Sequence, residues 1–293
     1  MKTFVRSVLK IIIPKSKHKK ARQTFEFIKS QTIVFLRKNR LLPFSKYNKL
    51  KKYHNIHKGK RCFIVATGPS LTIDDINKLK DEFTFSMNSI VLCFKETSWH
   101  PTYYAIQDKK VYQSLSQDKS FDLSGVKSIF IGRSLEKHIK AAGSCVPQDY
   151  NVFDLFGYRQ SPEEVDDARK YVPTSYKLGF SDDIRVTVYG YNIAYSVLQI
   201  AVYMGFSEIY LLGCDCNYNM DKDFHFIEYV TEAGKRKKDP LRLLAVAENI
   251  ILSYKSAKEY ADLHGIKIYN ATRGGKLEVF ERVDLDEVLM SDA

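Results

Sequence analysis

The sequence predicts a single Rossmann-like α/β domain, with a mostly parallel sheet covered by helices on both faces, preceded by a basic helical N-terminal arm. Three observations carry this. From Arg61 onward, short apolar runs alternate with helical stretches; strands separated by helices need crossover connections, which give a parallel sheet buried on both faces. Glycines and polar cap residues stand where one type of run gives way to the other. The charge is lopsided: residues 1–60 hold 18 Lys/Arg and one acid, Glu26, so the arm carries +17 and the remainder −5 in a chain of net charge +12.

The arm opens with Phe4, Val5, Val8, Leu9 and Ile12 on one face of a helix and Lys2, Arg6 and Lys10 on the other. This run falls short of the roughly 18 apolar residues a spanning helix needs, Lys10 interrupts it, and no small-residue cleavage site follows. Neither a signal peptide nor a transmembrane segment is expected. Pro14 ends the helix and residues 14–22 form a basic linker. A second apolar group, Phe25, Phe27, Ile28 and residues 33–36, reads as a surface helix or as one docked on the body. A basic arm with apolar faces suits a polyanionic surface, lipid or nucleic acid. Lipid is favoured, because each basic residue near an anionic bilayer contributes about 1 kcal/mol. The body shows no module for reading nucleic acid and is itself mildly acidic, so no nucleic-acid partner is expected. The expected location is cytoplasmic, peripheral on the inner face of the cytoplasmic membrane.

In the body, residues 62–66 form a buried strand, 73–80 a helix, and 83–87, 103–107 and 128–132 further strands. A helix over about 191–204 keeps Ile193, Val197, Ile200, Ala201 and Met204 in one stripe and stops at Gly205. Strand 208–213, helix 241–263 and strand 267–269 follow, and the polar tail after residue 280 ends in a short surface helix. The five cysteines, Cys62, Cys93, Cys145, Cys214 and Cys216, form no Cys-x-x-Cys pair and fit a reduced protein without a zinc site.

In an open parallel sheet, ligands lie at the carboxyl ends of the strands. After the first body strand comes Thr67-Gly68-Pro69-Ser70-Leu71, a turn in which Gly68 lets backbone approach a ligand and the next helix start offers N–H groups to a phosphate. It is neither a dinucleotide fingerprint nor a Walker loop. Asn88, Gln107-Asp108 and Cys214-Asp215 end later strands, an amide and two carboxylates able to read a base, ribose or sugar, or to hold a metal. Asp215 is followed by Asn217, Tyr218, Asp221, Asp223, His225 and Tyr229, in a loop whose His225 is the best general-base candidate of the chain. Asn270 and Thr272 line the crevice or shape a turn with Gly274-Gly275.

Residues 66–71 (ATGPSL), the Asn88 of residues 85–90, Arg185 with Thr187, the passage 201–215 and the downstream Tyr and His resemble the small bacterial sialyltransferases that decorate lipooligosaccharide. The pattern is also similar to the motility accessory factor glycosyltransferases and to the 6-hydroxymethylpterin diphosphokinase-like family. The resemblance spans roughly residues 61–275. It implies inverting, metal-independent transfer of a nonulosonic, sialic-acid-like sugar from a CMP donor to a cell-surface glycan, as in lipopolysaccharide or capsule synthesis, with no cofactor. Thr67, Gly68 and Ser70 would border the nucleotide, and Asn88 would bond its phosphate or ribose. Arg185 and Thr187 would sit at the nucleotide end. Tyr218 would bond the leaving phosphate, Tyr229 would be a second phosphate tyrosine, and His225 would be the base. Asp108 and Asp215 are alternatives for the base. Thr67 stands where the family has Asn, and residues 186–190 replace its Thr-Ser-Gly. The other reading is a pyrophosphokinase using ATP, with Asp108 and Asp215 holding Mg²⁺. A homo-oligomer is compatible with either.

Overall fold

The computed structural model describes residues 46–118, 121–141, 146–147, 149–156, 179–217 and 240–291, with a few isolated positions between 32 and 41. The expected first arm helix, Cys145, Tyr218, His225 and Tyr229 lie outside the described residues. The chain forms two compact units, Met1–Asn48 and Lys49–Ala293. In the first, Phe35 and Leu41 expose 60% and 56% of their surface, and the Asn39 amide closes a turn onto the Phe35 carbonyl.

The second unit contains an eight-stranded sheet, in spatial order β10-β9-β8-β1-β2-β3-β4-β5. Its strands are β1 (Arg61–Val65), β2 (Thr84–Met87), β3 (Tyr103–Ile106), β4 (Ser128–Gly132), β5 (Tyr150–Phe153), β8 (Glu208–Leu212), β9 (Lys267–Asn270) and β10 (Glu281–Arg282). Every pairing in it is parallel. β6 (Leu155–Phe156) and β7 (Thr187–Val188) form a separate two-stranded ribbon. Helices α1 (Ile73–Asn77), α2 (Lys109–Leu115), α3 (Arg133–Ala141), α4 (Ile193–Tyr203), α5 (Pro240–His264) and α6 (Leu285–Met290) complete it. The path β1 to β5 moves outward one way and β8 to β10 the other, so right-handed crossovers put helices on both faces. Phe63, Ile64, Phe85, Tyr104, Phe130 and Leu211 are buried at the centre.

Local chemistry explains the boundaries. Thr72 and Asp75 form a capping box that starts α1, and the Asn192 side chain accepts from Tyr195 N to start α4. Gly205 follows α4 at φ +88°. Among the described residues, no helix is long and apolar enough to cross a membrane.

Lys49–Lys60 belong to the second unit: Leu50 is fully buried, Asn55, His57 and Gly59 amides bond the backbone at Tyr203, Met204 and Gly205, and Tyr53 donates to Ser128. Aromatic rings in a lysine-rich stretch bury while the lysines stay out. The first unit holds 13 Lys/Arg and one acid and the second 33 of each sign, so the whole +12 resides in the first 48 residues and the second unit has no net charge.

Candidate active site at the switch point

The topological switch point falls between β1 and β8, where the strand order reverses. The loops leaving these two strands meet there. The Ala66 and Gly68 amides donate to Leu212 O and Gly213 O at 2.8 and 2.9 Å. A Cβ on Gly68 would lie 2.0 Å from Asp215 Oδ2 and 2.4 Å from Gly213 O. The glycine is therefore needed for close approach, but what approaches is the Asp215 side chain. Ser70 completes the contact, its hydroxyl donating to Asp215 Oδ2 at 2.8 Å.

A carboxylate seated against Gly68 and Ser70 disfavours an anion beside it, and at the start of α1 the capping box satisfies the Thr72 and Asp75 N–H groups. The turn presents a surface that accepts from hydroxyl groups.

The loop after β9 is the third wall. Thr272 accepts from Cys214 N at 3.0 Å, Lys276 N donates to Asp215 O at 2.7 Å, and a Cβ on Gly275 would meet that same oxygen at 2.6 Å. Arg273 reaches over β8 to Asp75 Oδ1 (2.8 Å) and Ser70 O (3.1 Å). Burial alone would raise the Asp75 carboxyl, but the hydrogen bonds from Arg273 and Thr72 hold it below the usual carboxylate range. Arg282 pins the loop from below, donating to Thr272 O and Gly274 O at 3.0 and 2.7 Å. The sequence reading placed Thr272 and the glycine pair here and missed both arginines, whose available signal was an Arg beside Gly-Gly at the carboxyl end of a strand.

On the other side of β1, the register Val65↔Ser86 sets Asn88 beside Thr67. Asn88 is left-handed (φ +49°), its carbonyl accepts from Tyr104 OH at 2.8 Å, and its side-chain Oδ1 is buried with no partner. Asn217 Oδ1, beyond β8, is in the same condition. A buried acceptor without a donor costs about 1–3 kcal/mol, which a ligand N–H or O–H would recover. Three of the four non-glycine residues with positive φ, Asn88, Tyr191 and Cys216, stand on this carboxyl rim, Asn55 being the exception. Such conformations cluster at ligand sites. Cys216 is no nucleophile, because burial pushes its thiol up to about 12.

Other expected site residues lie apart. Asp108 caps α2, accepting from Lys110 N and Val111 N at 2.7 and 3.3 Å. Asp108 follows β3 and Asp215 follows β8, on opposite sides of β1 and β2 in the strand order β8-β1-β2-β3. Among the described residues, no three His, Cys, Asp or Glu side chains are placed to hold a metal ion. Thr187 is fully buried and donates to Asp154 O beyond the edge strand β5. Arg185 closes on Asp183 with bonds of 2.8 and 2.6 Å and lies near Tyr203 at the far end of α4. Neither Arg185 nor Thr187 reaches the switch point; both fasten the segment before α4.

No curated protein matches the chain. Among solved structures, the MAf glycosyltransferase from Magnetospirillum magneticum AMB-1 is 15% identical, with a TM-score of 0.45, over 82% of this chain and 37% of its own. The chain thus spans little more than a third of that protein. A mammalian sialyltransferase in complex with Gal-beta-1-3GalNAc-ortho-nitrophenol is 14% identical, with a TM-score of 0.37, over 74% of this chain and 70% of its own. Likenesses of this size do not bear on activity. Residues 38–221, more than half of the chain, match the family of 6-hydroxymethylpterin diphosphokinase MptE-like proteins, and the chain belongs to that family.

Proposed function

We propose that the protein is a glycosyltransferase that moves a nonulosonic, sialic-acid-like sugar from a CMP donor to a cell-surface glycan, with inversion and without a metal. The observation that carries this is the pairing of two unlike surfaces at the switch point. On one side of the β1 turn stands Asn88, strained and with an unpartnered buried acceptor, suited to an amino group of a base or a ribose hydroxyl. On the other stands Asp215 on Ser70, suited to hydroxyls. A nucleotide on the Asn88 side leaves its sugar facing Asp215. The acceptor hydroxyl then attacks the anomeric carbon, the carbon–oxygen bond to CMP breaks, and a base takes the hydroxyl proton. His225 is the proposed base, with Asp215 as the substitute, and Tyr218 and Tyr229 are the proposed donors to the leaving phosphate. All but Asp215 lie outside the described residues.

The second reading, a pyrophosphokinase, is favoured by the description of the family. Against it stand the carboxylate in the mouth of the β1 turn and the use of Asp108 as the cap of α2. Calorimetric titration of the full chain with CMP and with ATP, each with and without Mg²⁺, separates the two. Metal-independent CMP binding that weakens about tenfold in Asn88→Ala, the worth of one good hydrogen bond, is expected. ATP binding that requires Mg²⁺, with no CMP binding, would put the kinase first.

A further inference from the structure

Beside Ser70, on the flank of the switch point away from Asn88, lies a cavity of about 230 Å³ bounded by the loops after β1 and β9 and by α6. Pockets for whole small-molecule ligands run from about 300 to 1,000 Å³, so this one is too small for a nucleotide-sugar and takes a single ring. Its lining combines apolar side chains, Leu71, Leu212 and Leu285, with charged ones. Each cation there is already matched to a carboxylate: Arg273 to Asp75, Lys78 to Asp286 and Arg282 to Glu278. An entering phosphate or carboxylate would meet cations already neutralised and the carboxylates beside them. A neutral ring with many hydroxyls suits this lining, because paired guanidinium and carboxylate groups hold spare donor and acceptor positions in fixed directions, while the leucines cover an apolar ring face.

We propose that this cavity is a subsite for a neutral pyranose ring, the terminal sugar of the acceptor glycan. The subsite rests on the transferase reading, and it supplies what that reading lacks: a place for the sugar beside the Ser70–Asp215 pair, on the side of the turn opposite the nucleotide. The charged rim sets orientation and the leucine floor sets affinity.

Saturation-transfer NMR on the full chain, with methyl galactoside, methyl glucoside and methyl N-acetylglucosaminide as probes, tests this. At least one pyranoside is expected to show transfer that inorganic phosphate does not displace. Val283→Trp places an indole at the cavity mouth, and Lys78→Met with Asp286→Leu removes a rim pair without leaving a lone charge. Each is expected to weaken the pyranoside signal about tenfold, with CMP affinity unchanged. The double variant keeps the test alive if the tryptophan unfolds the protein. Transfer to no pyranoside, transfer that survives in both variants, or displacement by phosphate or by a pterin overturns the subsite. CMP binding without pyranoside binding sinks the subsite alone, whereas loss of CMP binding by the unaltered protein sinks the transferase reading.

Discussion

His57 shows how a single residue couples the fold to pH. Its ring stacks on Phe206 at 4.6 Å and leans on Phe83 at 4.2 Å, and Nε2 lies 2.6 Å from Tyr103 OH. Burial, with Lys127 and Lys60 nearby, lowers its pKa below the ordinary value of 6.5, and burial holds the Tyr103 phenol up at about 12. The pair is thus a protonated phenol hydrogen-bonded to a neutral imidazole. Above pH 6.5 neither the folded nor the unfolded state protonates His57, so it adds no pH dependence. Below 6.5 the unfolded chain takes up a proton that the folded one refuses, and stability falls as pH drops toward the folded pKa. Urea unfolding at pH 7 and pH 5.5 should show the midpoint falling with acidity, and His57→Gln should remove part of that fall. An unchanged fall in the variant would assign it to other groups. At the same scale, the site was legible where a residue's conformation and its role coincide. Gly68 and Asn88 were visible as strand-end residues, and both prove strained or tightly packed. Arg185 and Thr187 were not placeable, because nothing in a sequence shows that a guanidinium is already spent on a carboxylate two residues away. Arg273 was overlooked for the converse reason: its role lies across two strands.

At the scale of elements, the central helix α4 is the clearest test of the reading. Its apolar stripe predicts a helix with one buried face, yet every residue from Ile193 to Tyr203 is buried. The polar positions are not solvent-facing: Ser196 donates to Gln107 Oε1 at 2.9 Å, and Gln199 replaces a neighbouring backbone. Its Oε1 accepts from Ser181 N and Val188 N at 3.0 and 2.8 Å, and its Nε2 donates to Val188 O at 2.9 Å. Gln199→Leu is nearly isosteric and strands three backbone groups, the buried Ser181 N and the half-buried N and O of Val188, a loss of about 3 kcal/mol at the low end of 1–3 each, measurable by chemical denaturation. A loss below about 1 kcal/mol would show that water or a shifted segment replaces the amide. The central strands and α4 were legible because burial on both faces writes continuous apolar runs, and α5 because its apolar positions recur at helical spacing. β5, β10 and the β6–β7 ribbon were not. β5 and β10 are edge strands, β10 and both ribbon strands are only two residues long, and all are held by neighbours rather than by their own pattern. The helices α2 and α3 were missed because they are short, although Leu135 and Ile139 of α3 stand at helical spacing and are both buried.

For the whole molecule, the separation of charge is the dominant fact. The first 48 residues carry +12 and the remaining body carries no net charge, so the excess positive charge available to a polyanionic surface lies in the first unit. Phe35 and Leu41 expose apolar surface within it, and such a combination suits an anionic bilayer, where basic residues supply attraction and apolar side chains insert. Nucleic acid offers the charge without the apolar phase. The distinction is measurable by co-sedimentation of the full chain with vesicles of phosphatidylcholine alone and with added phosphatidylserine. Binding is expected only with the anionic lipid and should fall steeply by about 0.5 M salt, where the screening length drops below about 5 Å. Replacing Lys15, Lys17, Lys19 and Lys20 with glutamine removes about four of the basic contacts, each near 1 kcal/mol and partly overlapping, so affinity should drop about 10²- to 10³-fold. CMP binding should be untouched, since the body is neutral and its candidate site lies at the sheet's carboxyl rim. Equal binding to neutral vesicles would reduce the arm to an apolar anchor. Tighter binding to duplex DNA than to anionic vesicles at the same salt would transfer the arm to a nucleic-acid partner.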